Sequence, residues 1–294
     1  MHLLDSENRL QIWTPAKLNF HLEILGKRPD DYHEIRTFMV PISLYDILEF
    51  ELSDNNQIEL WCDDPTLTAG QDNLILKAAN LLKSYSKCNS GVRIRLYKRI
   101  PWQAGLGGGS SNAAATLLGL NKFWRLGLKK NTLHELASQL GSDINFFLEE
   151  SPAWCSGRGE QVVKTTISVP YFCLIIKPDF GLSTAKVYSH LSLTDHKHIN
   201  KETPRAFGDL KTFLRNDLEK PACLLEPALK GIFKGLKNSG SELMLLSGSG
   251  SAVFSLHSSK QDALNCAHNL LETETSGCIQ KVFFAGPDTT CSFQ

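Results

Sequence analysis

The sequence predicts an α+β chain of two domains, and three observations carry that expectation. Long stretches near the start alternate polar and apolar residues with a period of two. A glycine-rich segment runs from a strand directly into an Ala/Leu-rich helix near the middle. The second half reads strand, helices, strand–strand, helix, strand, the order of a split βαβ sandwich of ferredoxin-like type. The 294 residues suit two medium domains at about 100–200 residues each. The boundary is placed near Ile167–Pro170, giving domains 1–168 and 169–294.

From Leu10 the even positions Leu10, Ile12, Leu18, Phe20, Leu22 and Ile24 are apolar, while Lys17, Asn19, His21 and Glu23 are polar. That is a long strand or strand pair, with a bulge or edge at Pro15. Turn residues from Gly26 to Asp31 end it. Further strands are expected at Tyr45–Leu52 and Gln57–Cys62, a helix at Asn73–Tyr85, and a strand through Val92, Ile94 and Leu96. The helix after the glycines is expected over about Ser111–Leu126. Asn131 reads as the N-cap of the next helix, which stops at Gly141. Short strands flank Gly157-Arg158-Gly159, at Ala153–Cys155 and Gln161–Lys164. In the second half, strands are expected at Phe172–Ile176, Glu242–Leu246, Ala252–Leu256 and Gln280–Phe284. Helices are expected at Thr184–Leu191, Phe207–Leu218, Leu224–Leu236 and Lys260–Leu271.

A hydrophobic content of 42% is enough to build a core rather than a disordered chain. Thirty-one basic residues against 31 acidic ones give a formal net charge of +0, which argues against a nucleic-acid binder. No apolar run approaches the ~20 residues of a membrane span. The N-terminus has neither a basic n-region nor an apolar h-region, nor the look of a transit peptide. None of the eight cysteines forms a C-x-x-C pair or shows zinc-ligand spacing with histidine. They read as reduced thiols, most of them filling the core, of a cytoplasmic protein.

The strongest chemical signal is Gly105-Leu106-Gly107-Gly108-Gly109-Ser110-Ser111 between a strand and a helix. Consecutive glycines let backbone N–H groups face a ligand, and the helix behind adds unpaired donors and a positive dipole end. That is a polyphosphate cradle. A flexible linker, the alternative, would not run straight into Ala113-Ala114-Ala115. No Gly-Lys-Ser/Thr follows, so this is not a Walker A loop, and Ser110 stands where the dinucleotide fingerprint needs glycine. Lys17 and Asn19 are polar on an otherwise apolar strand, either a solvated face or a site. Asp143 precedes Ile144-Asn145-Phe146-Phe147 as either a general base or an N-cap. Asp179-Phe180-Gly181 spells a protein-kinase metal triplet, but no His-Arg-Asp loop accompanies it, so it reads as a turn. His196 and His198 have no third ligand in view and do not read as a metal site.

These pieces, in this order, resemble the GHMP kinase superfamily over essentially the whole chain. Pro15-Ala16-Lys17-Leu18-Asn19, Pro101 through Ser111, and Gly248-Ser249-Gly250-Ser251 are similar to its three motifs. Asp31-Tyr32-His33-Glu34 and Gly141-Ser142-Asp143 narrow the resemblance to the branch acting on a cytidine-diphosphate-linked alcohol in the non-mevalonate isoprenoid route. The resemblance implies an N-terminal ribosomal-protein-S5-like domain and a C-terminal ferredoxin-like α/β sandwich with the site between them. It implies Lys17 and Asp143 as the catalytic pair, and Asn19, Tyr32, His33 and Tyr188 as substrate contacts. His33 would read the cytosine, and Tyr32 and Tyr188 would stack on it. Pro101, Trp102, Gln103, Ala104, Gly105, Leu106, Gly107, Gly108, Gly109, Ser110 and Ser111 match the ATP loop, with Mg²⁺ expected on the phosphates and Ser111 a candidate ligand. Trp102-Gln103, Ser142 and Cys155-Ser156 depart from the family pattern. The rival readings are a mevalonate- or homoserine-type kinase, which gives no reason for Tyr32-His33, and a non-catalytic nucleotide- or RNA-binding protein on the same scaffold. Neutral charge and the presence of both Lys17 and Asp143 argue against the second.

Overall fold

The computed structural model describes residues 1–6, 9–53, 55–65, 67, 70, 72–167, 169–192, 202–273 and 277–287. His196, His198, Cys291 and Ser168 at the expected boundary lie outside them.

The first sheet is built on two long strands, β2 (Arg9–Lys27) and β3 (His33–Ser53), paired antiparallel over nearly their whole length. β1 (His2–Ser6) flanks β2, while β5 (Gly91–Tyr97) and β4 (Ile58–Cys62) follow β3, in the order β1-β2-β3-β5-β4. β6 (Ala153–Gly157) pairs with the start of β3 and with β7 (Gln161–Lys164). The register of β2 shifts between Pro15 and Ala16, the expected bulge. Four helices accompany this sheet: α1 (Leu74–Ser86), α2 (Gly108–Phe123), α3 (Lys130–Leu140) and α4 (Ile144–Glu149). Leu10, Ile12 and Phe50 of the sheet share one core with Ala78 and Leu82 of α1 and Ala113 and Leu117 of α2.

The second sheet has the order β10 (Met244–Leu246), β11 (Val253–His257), β8 (Phe172–Pro178), β12 (Ile279–Ala285), all antiparallel. Its strands lie in space as second, third, first, fourth, the ferredoxin-like arrangement the sequence predicts. α5 (Thr184–Ser189), α6 (Leu210–Phe213), α7 (Glu219–Leu225), α8 (Ala228–Asn238) and α9 (Lys260–Leu271) belong to this half. The two halves share β2. Its first residues pack in the first core, Ala16, Leu18 and Phe20 pack with Cys173 and Ile175 of β8, and Leu22 and Ile24 join Leu174, Ile176 and Leu229. The short β9 (Arg215–Asn216) comes from the second half yet pairs in parallel with β2 at His21 and Leu22.

Several expected elements shift, each for a physical reason. β3 starts at His33 rather than Tyr45, because Phe38, Met39, Val40 and Ile42 are all fully buried and show no alternation. α2 starts at Gly108 rather than Ser111 and ends at Phe123, so the last loop residues form its first turn. Asn131 is not an N-cap: Lys129, in extended conformation, holds that position and Asn131 lies inside α3. The helix expected over Phe207–Leu218 is a 3-10 turn (Phe207–Asp209), then α6, then β9. There Asn216 donates its side-chain N–H bonds to the carbonyls of Leu246 (2.8 Å) and Gly248 (2.7 Å), a tertiary preference that overrides helix propensity. The helix expected over Leu224–Leu236 is divided between α7 and α8 at Glu226 and Pro227, since proline has no N–H to continue the first helix.

Candidate active site

Lys17 follows the β2 bulge, and its backbone N–H donates to the carbonyl of Leu106 in the glycine loop at 3.0 Å. Its side chain is 4% exposed. A buried ammonium needs partners, and Lys17 Nζ donates to Asn19 Oδ1 at 2.5 Å and lies 3.6 Å from Asp143 Oδ2. Asn19 in turn donates to Thr37 Oγ1 at 2.8 Å, and Thr37 donates to the carbonyl of His21 at 2.7 Å. This chain fixes the Asn19 amide so that its oxygen faces Lys17. The solvated-face alternative for Lys17 and Asn19 therefore fails: both are 3% exposed.

Asp143 occupies the N-cap position of α4 but makes no capping hydrogen bond. Its carboxylate is a third exposed and has Lys17 beside it. A side chain at the cap position that does not cap leaves its carboxylate oxygens open to the cleft.

The glycine loop is held between the halves. Gly105 and Gly107 both have φ +71°, the left-handed region. A Cβ on Gly105 would meet the carbonyl of Ser247, and one on Gly107 would come within 2.9 Å of Lys17 Cγ and Phe147 Cζ. From the second half, Ser247 Oγ donates to the Gly105 carbonyl (2.9 Å), Ser251 N–H to Gln103 (3.3 Å) and Ala252 N–H to Ala104 (3.1 Å). Gly107 caps α2 with no side-chain hydrogen bond to the first-turn N–H groups.

These groups open on one cleft of about 860 Å³, within the range of small-molecule sites. Lys17, Asn19, Gly105, Gly107 and Asp143 line it together with Tyr32, His33 and Tyr188. The His33 ring lies 4.9 Å from the Tyr188 ring, tilted by 37°. Tyr32, 53% exposed, instead sits beneath the Arg158 guanidinium at 4.9 Å. Thus His33, rather than Tyr32, covers Tyr188. Burial, then the nearby Lys27 charge, lowers the His33 pKa from its ordinary value. Burial, with Asp143 adding to it, raises that of Tyr188.

The loop residues divide. Pro101, Trp102 and Gln103 line a second pocket of about 380 Å³ together with Lys98, Lys177 and Lys281. Ala104 and Leu106 are buried, and Gly108, Gly109, Ser110 and Ser111 form the first turn of α2. Sequence reasoning missed Thr37, which orients Asn19, and Arg158, which two left-handed glycines present to the cleft. The Gly157-Arg158-Gly159 spelling was a usable signal for the second; nothing local marked Thr37. Among the described residues, no group of three or more His, Cys, Asp or Glu side chains is arranged for a metal ion.

Residues 73–149 match the model of the GHMP kinase N-terminal domain. The 4-diphosphocytidyl-2-C-methyl-D-erythritol kinase of Syntrophus aciditrophicus is 42% identical over 258 residues, covering 86% of this chain and 92% of that one. Its namesake in Thermodesulfovibrio yellowstonii is 40% identical, covering 84% and 90%. A crystal structure of 4-(cytidine 5'-diphospho)-2C-methyl-D-erythritol kinase superposes with TM-score 0.76 at 31% identity, covering 94% of this chain and 98% of that one. A homoserine kinase from Cytophaga hutchinsonii shares the fold, with TM-score 0.70 at 14% identity and coverage of 97% and 96%. The chain belongs to the 4-diphosphocytidyl-2-C-methyl-D-erythritol kinase family of GHMP kinases.

Proposed function

We propose that the protein transfers the γ-phosphate of ATP to the 2-hydroxyl of 4-diphosphocytidyl-2-C-methyl-D-erythritol, in the non-mevalonate route to isoprenoid precursors. The observation that carries this reading is the shared cleft. The Lys17–Asp143 pair, 3.6 Å apart, opens on the same space as the His33–Tyr188 aromatic pair. A mevalonate or homoserine kinase has no base to place against such a surface.

Phosphoryl transfer needs positioning and charge neutralisation more than covalent help. In this reading Asp143 accepts the proton of the substrate hydroxyl as its oxygen attacks the γ-phosphorus, and ADP leaves with the electrons of the broken P–O bond. Lys17, held by Asn19, stabilises the charge that develops on the transferring group. The N–H groups at the start of α2 take the phosphate oxygens, and Pro101, Trp102 and Gln103 border the rest of the nucleotide. Mg²⁺ would neutralise charge on those oxygens. Ser111 fits it: its hydroxyl oxygen is buried in the first turn of α2 without a hydrogen-bond partner among the described residues. Together with the nucleotide's own phosphates, it would hold the ion.

In this reading the His33–Tyr188 pair offers the cytosine an aromatic surface, and His33 a polar group for the base edge. We place the enzyme in the cytoplasm, a reading supported by seven free cysteines among the described residues. No described helix is long and apolar enough to cross a membrane. The balanced charge favours a small-molecule partner over nucleic acid.

The test is ADP release with the cytidine-diphosphate-linked alcohol, its uridine counterpart, mevalonate and homoserine. The cytidine substrate should be turned over with a large preference. Preferred turnover of mevalonate or homoserine would overturn the substrate assignment.

A further inference from the structure

Asp46, on β3, stands opposite Thr14 of β2 and is completely buried. Its carboxylate accepts four hydrogen bonds. Oδ1 takes the backbone N–H groups of Arg99 (2.7 Å) and Ile100 (2.8 Å), while Oδ2 takes Lys98 Nζ (2.6 Å) and Asn112 Nδ2 (3.1 Å). Residues 98–100 end immediately before the 101–111 loop, and Asn112 is the first residue after it. One carboxylate therefore closes both stems of the phosphate loop.

The closure reaches further on each side. Lys98 Nζ also donates to the Ile100 carbonyl at 2.6 Å and lies so near Gly108 that a Cβ there would come within 2.9 Å of it. Asn112 Nδ2 also donates to Thr14 Oγ1 at 2.8 Å, three residues before Lys17 on the same strand. The loop stems are thus tied to the strand that carries the lysine of the catalytic pair.

A buried ion pair is weak evidence of a stability role, since apolar residues of similar size often serve a core as well or better. What a carboxylate adds is direction: two backbone N–H groups, an ammonium and an amide must all point at one fixed place. We infer that Asp46 is a positioning residue for the nucleotide, setting the separation of the loop stems, and so the aim of the loop N–H groups, without touching ATP. The inference rests on the ATP reading of the loop given above, but not on the identity of the alcohol.

The experiment measures Mg·ATP affinity by titration calorimetry on the full chain without the alcohol, together with both KM values in turnover. In Asp46→Asn, one face of the carboxylate turns from acceptor to donor while the volume stays. ATP Kd and KM should rise about tenfold or more, as expected when a charge-assisted hydrogen bond that shapes a site is lost. The KM of the alcohol should stay within about twofold. Asn112→Ala leaves the Asp46–Lys98 pair in place and opens only the helix-side stem; it should give the same selective weakening, smaller in size. It decides the matter if Asp46→Asn fails to fold. Unchanged ATP affinity in a folded variant, or parallel loss for both substrates, would overturn the inference. Normal ATP binding with no turnover of any cytidine alcohol by the unmodified protein would instead sink the substrate reading and leave this one standing.

Discussion

Replacing Asp143 by Asn separates catalysis from stability, because the structure assigns this residue little work in the fold. It makes no capping hydrogen bond, so the roughly 0.5–2 kcal/mol lost when a true N-cap is removed does not apply. Its nearest cation, Lys17 Nζ, lies at 3.6 Å, beyond a good hydrogen bond, and the carboxylate is 34% exposed. Lys17 on the other side is buried, so the loss lies between the about 0–1 kcal/mol of an exposed pair and the about 3–5 kcal/mol of a broken buried one, held toward the lower end because Lys17 keeps its hydrogen bond to Asn19. Loss of a general base removes about 10²–10⁴ in rate, or roughly 3–5 kcal/mol of barrier at 1.36 kcal/mol per tenfold. The two effects are read separately. Coupled detection of ADP at saturating substrates gives kcat, calorimetric melting gives Tm, and a nucleotide titration should show ATP affinity unchanged. Turnover within about tenfold of the unmodified protein would refute the base assignment, since a positioned base contributes more than that.

Lys17→Ala should lower kcat more than it raises either KM, because its charge is needed most as transfer proceeds; a change confined to KM would make it a binding residue. His33→Ala should narrow the preference for cytidine over uridine substrates, and Tyr188→Ala should weaken both alike, since stacking discriminates little and hydrogen bonds discriminate strongly. Ratios unchanged in both variants would remove these residues from base recognition. The His33 pKa is lowered from 6.5 by burial and Lys27. Between its folded and unfolded values the unfolded chain binds more protons, so this contribution to stability is complete above 6.5 and is lost as pH falls toward the folded value. The KM for the cytidine substrate should rise over the same fall in pH, and His33→Ala should abolish that inflection. Gly107→Ala should abolish turnover, because φ +71° and contacts of 2.9 Å with Lys17 and Phe147 leave no room for a methyl group.

What the sequence revealed and what it hid follow from the range of the forces involved. The glycine loop was legible because its chemistry is local: glycines, a helix and the absence of competing motifs lie in one short stretch. The ferredoxin-like order was legible because the four strands of that half are short, separate apolar runs with helical stretches between them. The first twelve residues of β3 were not, since the stretch 37–42 among them is buried on both faces and loses the alternation that marks a strand. Asn216 was read as helical because its partners, the carbonyls of Leu246 and Gly248, are thirty or more residues away. Lys17, Asn19 and Asp143 each had a bland alternative that only geometry addresses. Burial excludes the solvated face for the first two, and a missing cap bond leaves Asp143 without the structural role that competed with catalysis.

The same geometry changes how the two halves should be understood. We propose the division near residue 168 as one of chain order, because the site does not respect it. The glycine loop is bonded from the first half through Lys17 N–H and Leu106, and from the second through Ser247, Ser251 and Ala252. β9, from the second half, pairs with β2 two residues beyond Asn19, and Asn216 on it holds the carbonyl of Gly248, which lines the cleft. Any shift of the second sheet against the first would therefore move the loop relative to Lys17. Transfer needs the reacting atoms held to within a fraction of an ångström. In the proposed reaction the segment 247–252 would then serve without supplying a reacting group: it fixes the loop from behind, while β2 holds Lys17 in front.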